Sequence, residues 1–408
     1  MIKNLKTCII WKGIVMNWKK YGYFFLGIFL CMAGILFGRS SAKAATISEN
    51  DLKKLVVEAY QSYQTTLDVK QYGLYNDAQG SKLLSDVMQE VMNETPYLFY
   101  TGRSFSKEIL EHTKQITRIG LSYSSGYKRG STVDISKIKS TRKELDAAVK
   151  KITAGIPGKL KDVEKAMLLH DYLVQNVSYD DRKGRDSRLT AVGAILEQKA
   201  NCQGYSVAYK LLLKKAGISV KCISSSQMSH MWNLVKIGSA WYHTDVTWDD
   251  PLNSRNQADQ YGMVYHDNFL VSTAAIKKTG HYGVPNVKAA DTRFDKRYWR
   301  KVEGSFWYQS GQFIYGAPDG IYSRSRLNSS AAKCLKKLSV RCLVQRSPKQ
   351  YYLISGNKIY LFHAGSKKLK MVYQAAAGCS LVQLKYEEGK LMFRYLKGNR
   401  MYTAEKAA

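Results

Sequence analysis

Three residues stand in an order that suits nucleophilic chemistry: Cys202, His230 and Asp245. A thiol attacks as its thiolate, so it needs a nearby base, and an imidazole base needs a third group to hold its useful tautomer. Asn201 precedes the cysteine and is a good helix N-cap, because its side-chain oxygen accepts from first-turn N–H groups. Val207, Ala208, Leu211 and Leu212 give the following helix a buried stripe, and Gly217 suits its C′ position. Cys202 is therefore expected in the first turn, where the positive end of the macrodipole favours thiolate over thiol. Gly204 lowers helix propensity there but admits close approach by another chain or a substrate.

The base and its orienter are expected on a hairpin. Strands over 230–237 and 240–247 flank Gly238-Ser239, a two-residue loop. Symmetric pairing about that loop sets His230 opposite Thr247 and Trp232 opposite Asp245. His230 and Asp245 then share one face as diagonal neighbours, ~7–8 Å apart and within reach of a hydrogen bond. A one-residue slip would put them on opposite faces. The expected chemistry is proton transfer from Cys202 to His230, attack of the thiolate on an acyl carbon, and a thioester that water or an amine resolves. Backbone N–H groups at the helix start, that of Cys202 included, are candidates to stabilise the oxyanion. Gln203, Tyr179 and Trp232 are the side-chain candidates for oxyanion or substrate contact.

Other polar residues carry less. His243, His266 and His281 lack the spacing of a helical zinc pair, and no cysteine pair joins them, so no metal or cofactor is expected. His243 should share a face with Asp245. His170 falls on an apolar helical stripe and is expected as a core histidine with a satisfied hydrogen bond. Trp232, Trp241 and Trp248 are expected to wall the cleft or the core. No phosphate-binding glycine loop or dinucleotide fingerprint occurs.

Around this segment the chain divides by pattern. An amphipathic helix is expected over 49–63 and another over 81–92. Strands are expected over 96–100 and 116–123, which are rich in β-branched and aromatic residues. Thr141 and Glu144 form a capping box that opens a helix to about Ile152, and the breaker cluster 154–158 marks a domain boundary. A strong helix runs from Lys161 to Tyr179, followed by a charged, exposed loop over 180–186. After Trp299 three segments, at 310–315, 355–360 and 388–393, each read as a turn glycine followed by an apolar-aromatic strand. Their glycines lie at propeller-blade intervals, but the length is short for a propeller, and a small antiparallel sheet or sandwich is the more economical expectation.

Composition bounds the rest. The 408 residues, 45% apolar and 23% charged, are ordinary for globular protein and long enough for two or three domains. The net charge of +31 is not ordinary. Residues 1–44 hold seven basic and no acidic residues, which leaves +24 on the remainder. Such a field attracts polyanions, among them anionic cell-wall polymers, a lipid surface or nucleic acid. Nucleic acid is the partner not expected. Lys19-Lys20, an uncharged run from Tyr21 to Gly38, and Ala42-Lys43-Ala44 follow the order of a secretory signal peptide. Export is the expectation, to a secreted or cell-surface location, with an uncleaved N-terminal membrane anchor as the alternative. Beyond this leader, which holds Cys8 and Cys31, five cysteines remain. That odd number leaves at least one thiol unpaired within the chain, and Cys202 is the one expected free.

Cys202-Gln203-Gly204-Tyr205, His230-Met231-Trp232-Asn233 and Trp241-Tyr242-His243-Thr244-Asp245-Val246-Thr247-Trp248 together resemble the transglutaminase-like superfamily, in particular its exported bacterial members. His170-Asp171-Tyr172-Leu173 with Tyr179-Asp180 resembles the preceding segment of that group, and 291–300 its closing segment. The resemblance covers roughly residues 160–300. It implies an α+β, papain-like core with Cys202 as nucleophile, His230 as base and Asp245 as orienter, acting on protein or peptide amide bonds without a metal. The superfamily includes crosslinking transferases, proteases, peptide N-glycanases and inactive relatives, so an inactive binding or scaffold protein of the cell surface is the alternative. Asn201 stands where an apolar residue is frequent, and Ser206 where alanine is. The expected organisation is a leader over 1–44, an N-terminal α+β region over 45–157, the core over 158–300 and a β-rich antiparallel module over 301–408.

Overall fold

The computed structural model describes residues 47–252, 260–328 and 331–407, so the expected leader, with Cys8 and Cys31, lies outside them. Among the described residues no helix is long and apolar enough to cross a membrane. The architecture is α+β, helical and mixed before residue 300 and antiparallel β after it.

Helix α1 (Glu49–Gln61) starts where the Ser48 side chain accepts from Asp51 N–H, and buries Leu52, Val56, Ala59 and Tyr60. It packs on α2 (Ala78–Glu94), capped by Asp77. Strands β1 (Thr66–Asp68), β2 (Thr101–Leu110) and β3 (Gln115–Tyr123) form a sheet with β3 in the middle. The strand expected over 96–100 is a turn instead. Pro96 follows Thr95, whose carbonyl accepts Leu98 N–H, and the Leu98 carbonyl accepts Thr101 N–H. Those bonds tuck the Phe99 and Tyr100 rings inward, and pairing begins at Thr101. A short ribbon, β4 (Lys128–Arg129) and β5 (Thr132–Val133), leads to α3 (Ile135–Ala154). This helix opens six residues before Thr141, because the Asp134 side chain caps it by accepting Lys137 N–H at 3.0 Å.

The middle of the chain holds α4 (Asp162–Asn176), β6 (Ser178–Tyr179), α5 (Ala191–Ile195), β7 (Lys199–Ala200) and α6 (Cys202–Lys215). Glu164 caps α4 by accepting Lys161 N–H at 2.9 Å. The loop expected to be exposed over 180–186 is anchored at Asp180, which is buried and gathers Arg182 and Arg185. A three-stranded sheet follows, with β9 (His230–Ile237) between β8 (Val220–Ser225) and β10 (Ala240–Thr244). The last α-helix among the described residues is α7 (Thr273–Lys278). A continuous apolar cluster runs from Ile47 through these elements to Leu327, so the N-terminal region, the core segment and the first C-terminal sheet pack on one another.

The C-terminal part is neither one small sheet nor a two-sheet sandwich. It is three consecutive antiparallel meanders. The first holds β11 (Trp307–Gln309), β12 (Gln312–Ala317), β13 (Gly320–Arg324) and β14 (Lys333–Lys337). The second holds β15 (Cys342–Ser347), β16 (Gln350–Ser355), β17 (Lys358–His363) and β18 (Lys368–Gln374). The third holds β19 (Cys379–Glu387), β20 (Lys390–Lys397) and β21 (Arg400–Ala407). Successive residues of a strand face opposite sides, and the second sheet uses both. Leu343, Tyr351 and Leu353 face the first sheet, whereas Val344, Tyr352 and Ile354 face the third. Burial on both faces is what stacks three sheets. The repeated glycines Gly311, Gly356 and Gly389 all sit in hairpin turns at positive φ, a region that favours glycine.

Candidate active site

Cys202 is the first residue of α6. Asn201 caps the helix as expected, accepting Gln203 N–H at 3.1 Å and Gly204 N–H at 3.3 Å. The close approach at Gly204 comes from the chain itself: a Cβ there would lie 2.3 Å from the Arg188 carbonyl oxygen and 2.8 Å from the Ala200 Cβ. The same Arg188 carbonyl accepts Asn201 N–H at 3.0 Å. The helix start is thus pinned to the 3-10 turn Asp186–Leu189. Ser206 is the other departure from the superfamily pattern. Its Oγ lies 2.8 Å from the Cys202 carbonyl and 3.0 Å from that of Met231, which bridges α6 to β9.

The hairpin has the expected register, with Ala240 opposite Ile237 and Thr244 opposite Asn233. Its second strand ends at Thr244 rather than Thr247. Asp245 leaves the ladder because its N–H donates to the Asn268 carbonyl, while its Oδ1 accepts Thr247 N–H at 3.0 Å and Trp248 N–H at 3.2 Å. This turn aims Oδ2 at His230, whose Nε2 lies 2.6 Å away. The Cys202 thiol lies near enough to act on the same imidazole electrostatically. Burial disfavours the imidazolium, but the Asp245 carboxylate and the thiol outweigh it, and His230 is held well above the ordinary histidine value. Burial pushes the Asp245 carboxyl up, and the two histidines beside it reverse that, so it stays ionised.

His281, which lacks the spacing of a zinc ligand, instead contacts Asp245. Its Nε2 lies 2.8 Å from the same Oδ2 that His230 uses. Thirty-six residues separate the two, and no periodicity marks such a contact. His243 does not reach Asp245. Its Nδ1 accepts the Trp232 indole N–H at 2.9 Å and its Nε2 lies 3.0 Å from Thr273 Oγ1. Burial lowers its pKa to about 4, with repulsion from His281 and Lys277 adding to it.

The three oxyanion or substrate candidates fall in different places. Tyr179 is carried beside Ala200 by parallel pairing of β6 with β7. Burial, together with the Cys202 sulfur and the Asp181 and Asp245 carboxylates, pushes its pKa far up, so its hydroxyl remains a donor. Gln203 lines a small cavity shared with Leu98, Phe99, Arg103, Asp186 and Thr190, on the side of the N-terminal region. Trp232 is wholly buried, stacks on His230 at 5.8 Å between ring centroids, and gives its N–H to His243. Trp248 covers the histidines from outside, 5.4 Å from His230 and 4.1 Å from His281.

Among the described residues, two groups hold three ligand atoms within 4.8 Å of one another: His230, Asp245 and His281, and separately His170, Asp171 and His266. The second lies in the core. His170 bridges Asp171 at 2.9 Å and Asp249 at 3.1 Å, and His266 joins Asp171 at 3.0 Å to the Val302 carbonyl. In each group one carboxylate oxygen lies within hydrogen-bond distance of both imidazoles. The five described cysteines are all free thiols. Burial pushes Cys222 and Cys342 up to about 12, which makes them poor nucleophiles, while Cys202 remains partly exposed.

Residues 147–246 match the model of the transglutaminase-like superfamily. No curated protein sequence matches the chain. Among solved structures, a TGase is 13% identical over 45% of this chain and 51% of its own, with a TM-score of 0.26. A candidate cysteine protease from Cytophaga hutchinsonii is 15% identical over 35% of this chain and 61% of its own, with a TM-score of 0.21. The N-terminal domain of Nup159 is 10% identical over 46% and 43% of the two chains, with a TM-score of 0.19. The chain thus spans between about two fifths and three fifths of the length of these structures. Residues 147–246, which hold Cys202, His230 and Asp245, are thus similar to a transglutaminase-like core.

Proposed function

We propose that this chain is an exported thiol enzyme of the cell envelope that acts on protein or peptide amide bonds through a thioester on Cys202. The observation that carries the reading is the 2.6 Å contact between His230 Nε2 and Asp245 Oδ2, on a histidine whose proton affinity the nearby Cys202 thiol also raises. A carboxylate oxygen only accepts, so Nε2 bears the proton and Nδ1 is left to exchange one with the thiol. Cys202 gives its proton to Nδ1 and the thiolate adds to the acyl carbon. The tetrahedral oxyanion is met by the Cys202 N–H and the Tyr179 hydroxyl. His230 then returns the proton to the leaving amine. Water or a primary amine, deprotonated by His230, resolves the thioester and frees the thiol.

Hydrolysis is favoured over crosslinking, because partial exposure of Cys202 admits water to the thioester. The partner surface is the basic one. Residues 301–408 hold nineteen basic and five acidic residues, so the β module carries +14 and would keep the enzyme against anionic envelope polymers. Cell-envelope extracts treated with wild type or Cys202→Ala, with and without an added primary amine, test the reaction. New fragments made by wild type alone support hydrolysis, and amine incorporation supports transfer. A Cys202 no more reactive toward a thiol probe than the denatured chain would overturn the enzyme reading in favour of an inactive scaffold.

A further inference from the structure

We propose that His281 is a positioning residue of this site, which shares Asp245 with His230 and so limits how strongly that carboxylate holds the His230 proton. The inference rests on the roles given above to Cys202, His230 and Asp245. Both imidazoles converge on one oxygen: Asp245 Oδ2 lies 2.6 Å from His230 Nε2 and 2.8 Å from His281 Nε2. Its Oδ1 is occupied by two backbone donors. An ionised carboxylate donates nothing, so each Nε2 carries a proton. Asp245 therefore accepts four hydrogen bonds.

His281 is held for this task from every side. It is 2% exposed, and the Trp248 ring lies against it at 4.1 Å. Its Nδ1 is 3.3 Å from Thr279 Oγ1, whose hydroxyl proton is shared between that nitrogen and the Ile276 carbonyl 2.7 Å away. The next residue is tied down as well, since Ser225 Oγ donates to the Tyr282 carbonyl at 2.9 Å.

The consequence is electrostatic. A second donor on Oδ2 spreads the carboxylate charge, and the pull on the His230 proton weakens. The charged and titratable groups facing His230 are Cys202 from α6, Asp245 from the turn after β10, and His281. The Tyr179 hydroxyl from β6 lies near Cys202 and Asp245. Those facing His281 are Asp245 and, across Trp232, His243, which also feels Lys277 of α7. Of these, Asp245 alone touches both imidazoles. Removing the His281 donor should therefore strengthen the hold on His230.

The test reads Cys202 directly and needs no substrate. The rate of alkylation by iodoacetamide is followed against pH in the full chain for wild type, His281→Leu and His281→Gln, with Cys202→Ala as the blank for the other thiols. A thiolate–imidazolium pair gives two steps, a lower one where the pair forms and an upper one where His230 loses its proton. His281→Leu should raise the upper step by about one pH unit, a tenfold change in proton affinity. The amide of His281→Gln donates in place of Nε2 and should return the step close to wild type. An unmoved upper step in the leucine variant, or a glutamine variant no nearer wild type than leucine, overturns the inference. Imidazole 15N spectra of the wild type give a reading independent of any variant. Protonated Nε2 atoms on both His230 and His281 support the sharing, and an unprotonated Nε2 on His281 overturns it. A wild type that shows no thiolate reactivity below the ordinary thiol range would instead sink the reading of the site itself.

Discussion

The side-chain amide of Asn233 donates to the main-chain carbonyl of Ser206 at 3.0 Å. That one bond ties the strand that begins with His230 to the helix that begins with Cys202. It acts beside the Ser206 hydroxyl, which meets carbonyls of both elements. The distance between base and nucleophile is therefore set by side chains remote from the reacting atoms.

Asn233→Ala should remove the shorter of two side-chain bonds to the Ser206 carbonyl, which the Cys222 thiol also reaches at 3.7 Å, at a cost of about 0.5–1.5 kcal/mol. Thermal melts should show the loss, and Cys202 alkylation near neutral pH should slow with it. Unchanged alkylation in a destabilised variant would show that the helix keeps its place without this bond.

Gly204→Ala should be more damaging than its size suggests. The new methyl would sit 2.3 Å from a backbone oxygen and 2.8 Å from the Ala200 side chain. Neither is a flexible tip that can swing away. Overpacking of this kind costs about 1–3 kcal/mol, and a melting temperature equal to wild type would refute the account.

How much of this was legible in the sequence differs from element to element. The Gly238-Ser239 loop fixes the hairpin register, and residue spacing alone puts His230 and Asp245 on one side. Asn201 announces the helix start. By contrast, β10 ends at Thr244 because Asn268, a residue 23 positions further on, takes the Asp245 N–H. Such a partner leaves no local pattern. His281 was hidden for the same reason. At 96–100 the aromatic content that reads as strand reflects burial of rings from a turn, because burial and not pairing is what those residues share. The three C-terminal meanders were half visible: turn glycines marked the hairpins, but apolar residues on both faces of the second sheet, which stack it, look like any buried strand.

His243 should govern part of the acid sensitivity of the fold. Trp232 can only donate, so His243 Nδ1 must accept and the proton sits on Nε2, facing Thr273. Its pKa of about 4 in the folded chain lies below the ~6.5 of a free imidazole. Between these values the unfolded chain binds more protons, so stability is lost as pH falls from ~6.5 toward about 4, at up to about 1.4 kcal/mol per pH unit. His243→Gln keeps an acceptor for Trp232 and removes the titration. Denaturant unfolding at pH 7 and 5 should differ less in this variant than in wild type, and an equal difference would clear His243 of the effect.

The +14 of the β module should act through charge alone. Retention of the chain on an immobilised anionic polymer should fall steeply as salt rises past physiological strength, where the Debye length is ~8 Å. Reversing Lys367, Lys368 and Lys370 to glutamate should shift that elution to lower salt while leaving Cys202 alkylation unchanged. Elution at the wild-type position would place the contact elsewhere on the molecule.

The oxyanion donor can be assigned between Tyr179 and Gln203. Pairing of β6 with β7 holds Tyr179 beside Ala200, and the Cys202 sulfur is among the groups that oppose its ionisation. Gln203 faces a cavity shared with Phe99 and Arg103, on the side of the N-terminal region. A donor aimed at the developing oxyanion is worth about 10²–10³ in kcat, and it acts only once the tetrahedral centre forms. Tyr179→Phe should therefore slow acyl transfer from an activated ester by about that factor while iodoacetamide alkylation, which builds no oxyanion, keeps its rate. Gln203→Leu should change neither. If both reactions slow together in Tyr179→Phe, the hydroxyl supports the thiolate instead, and the Cys202 N–H is left to hold the oxyanion.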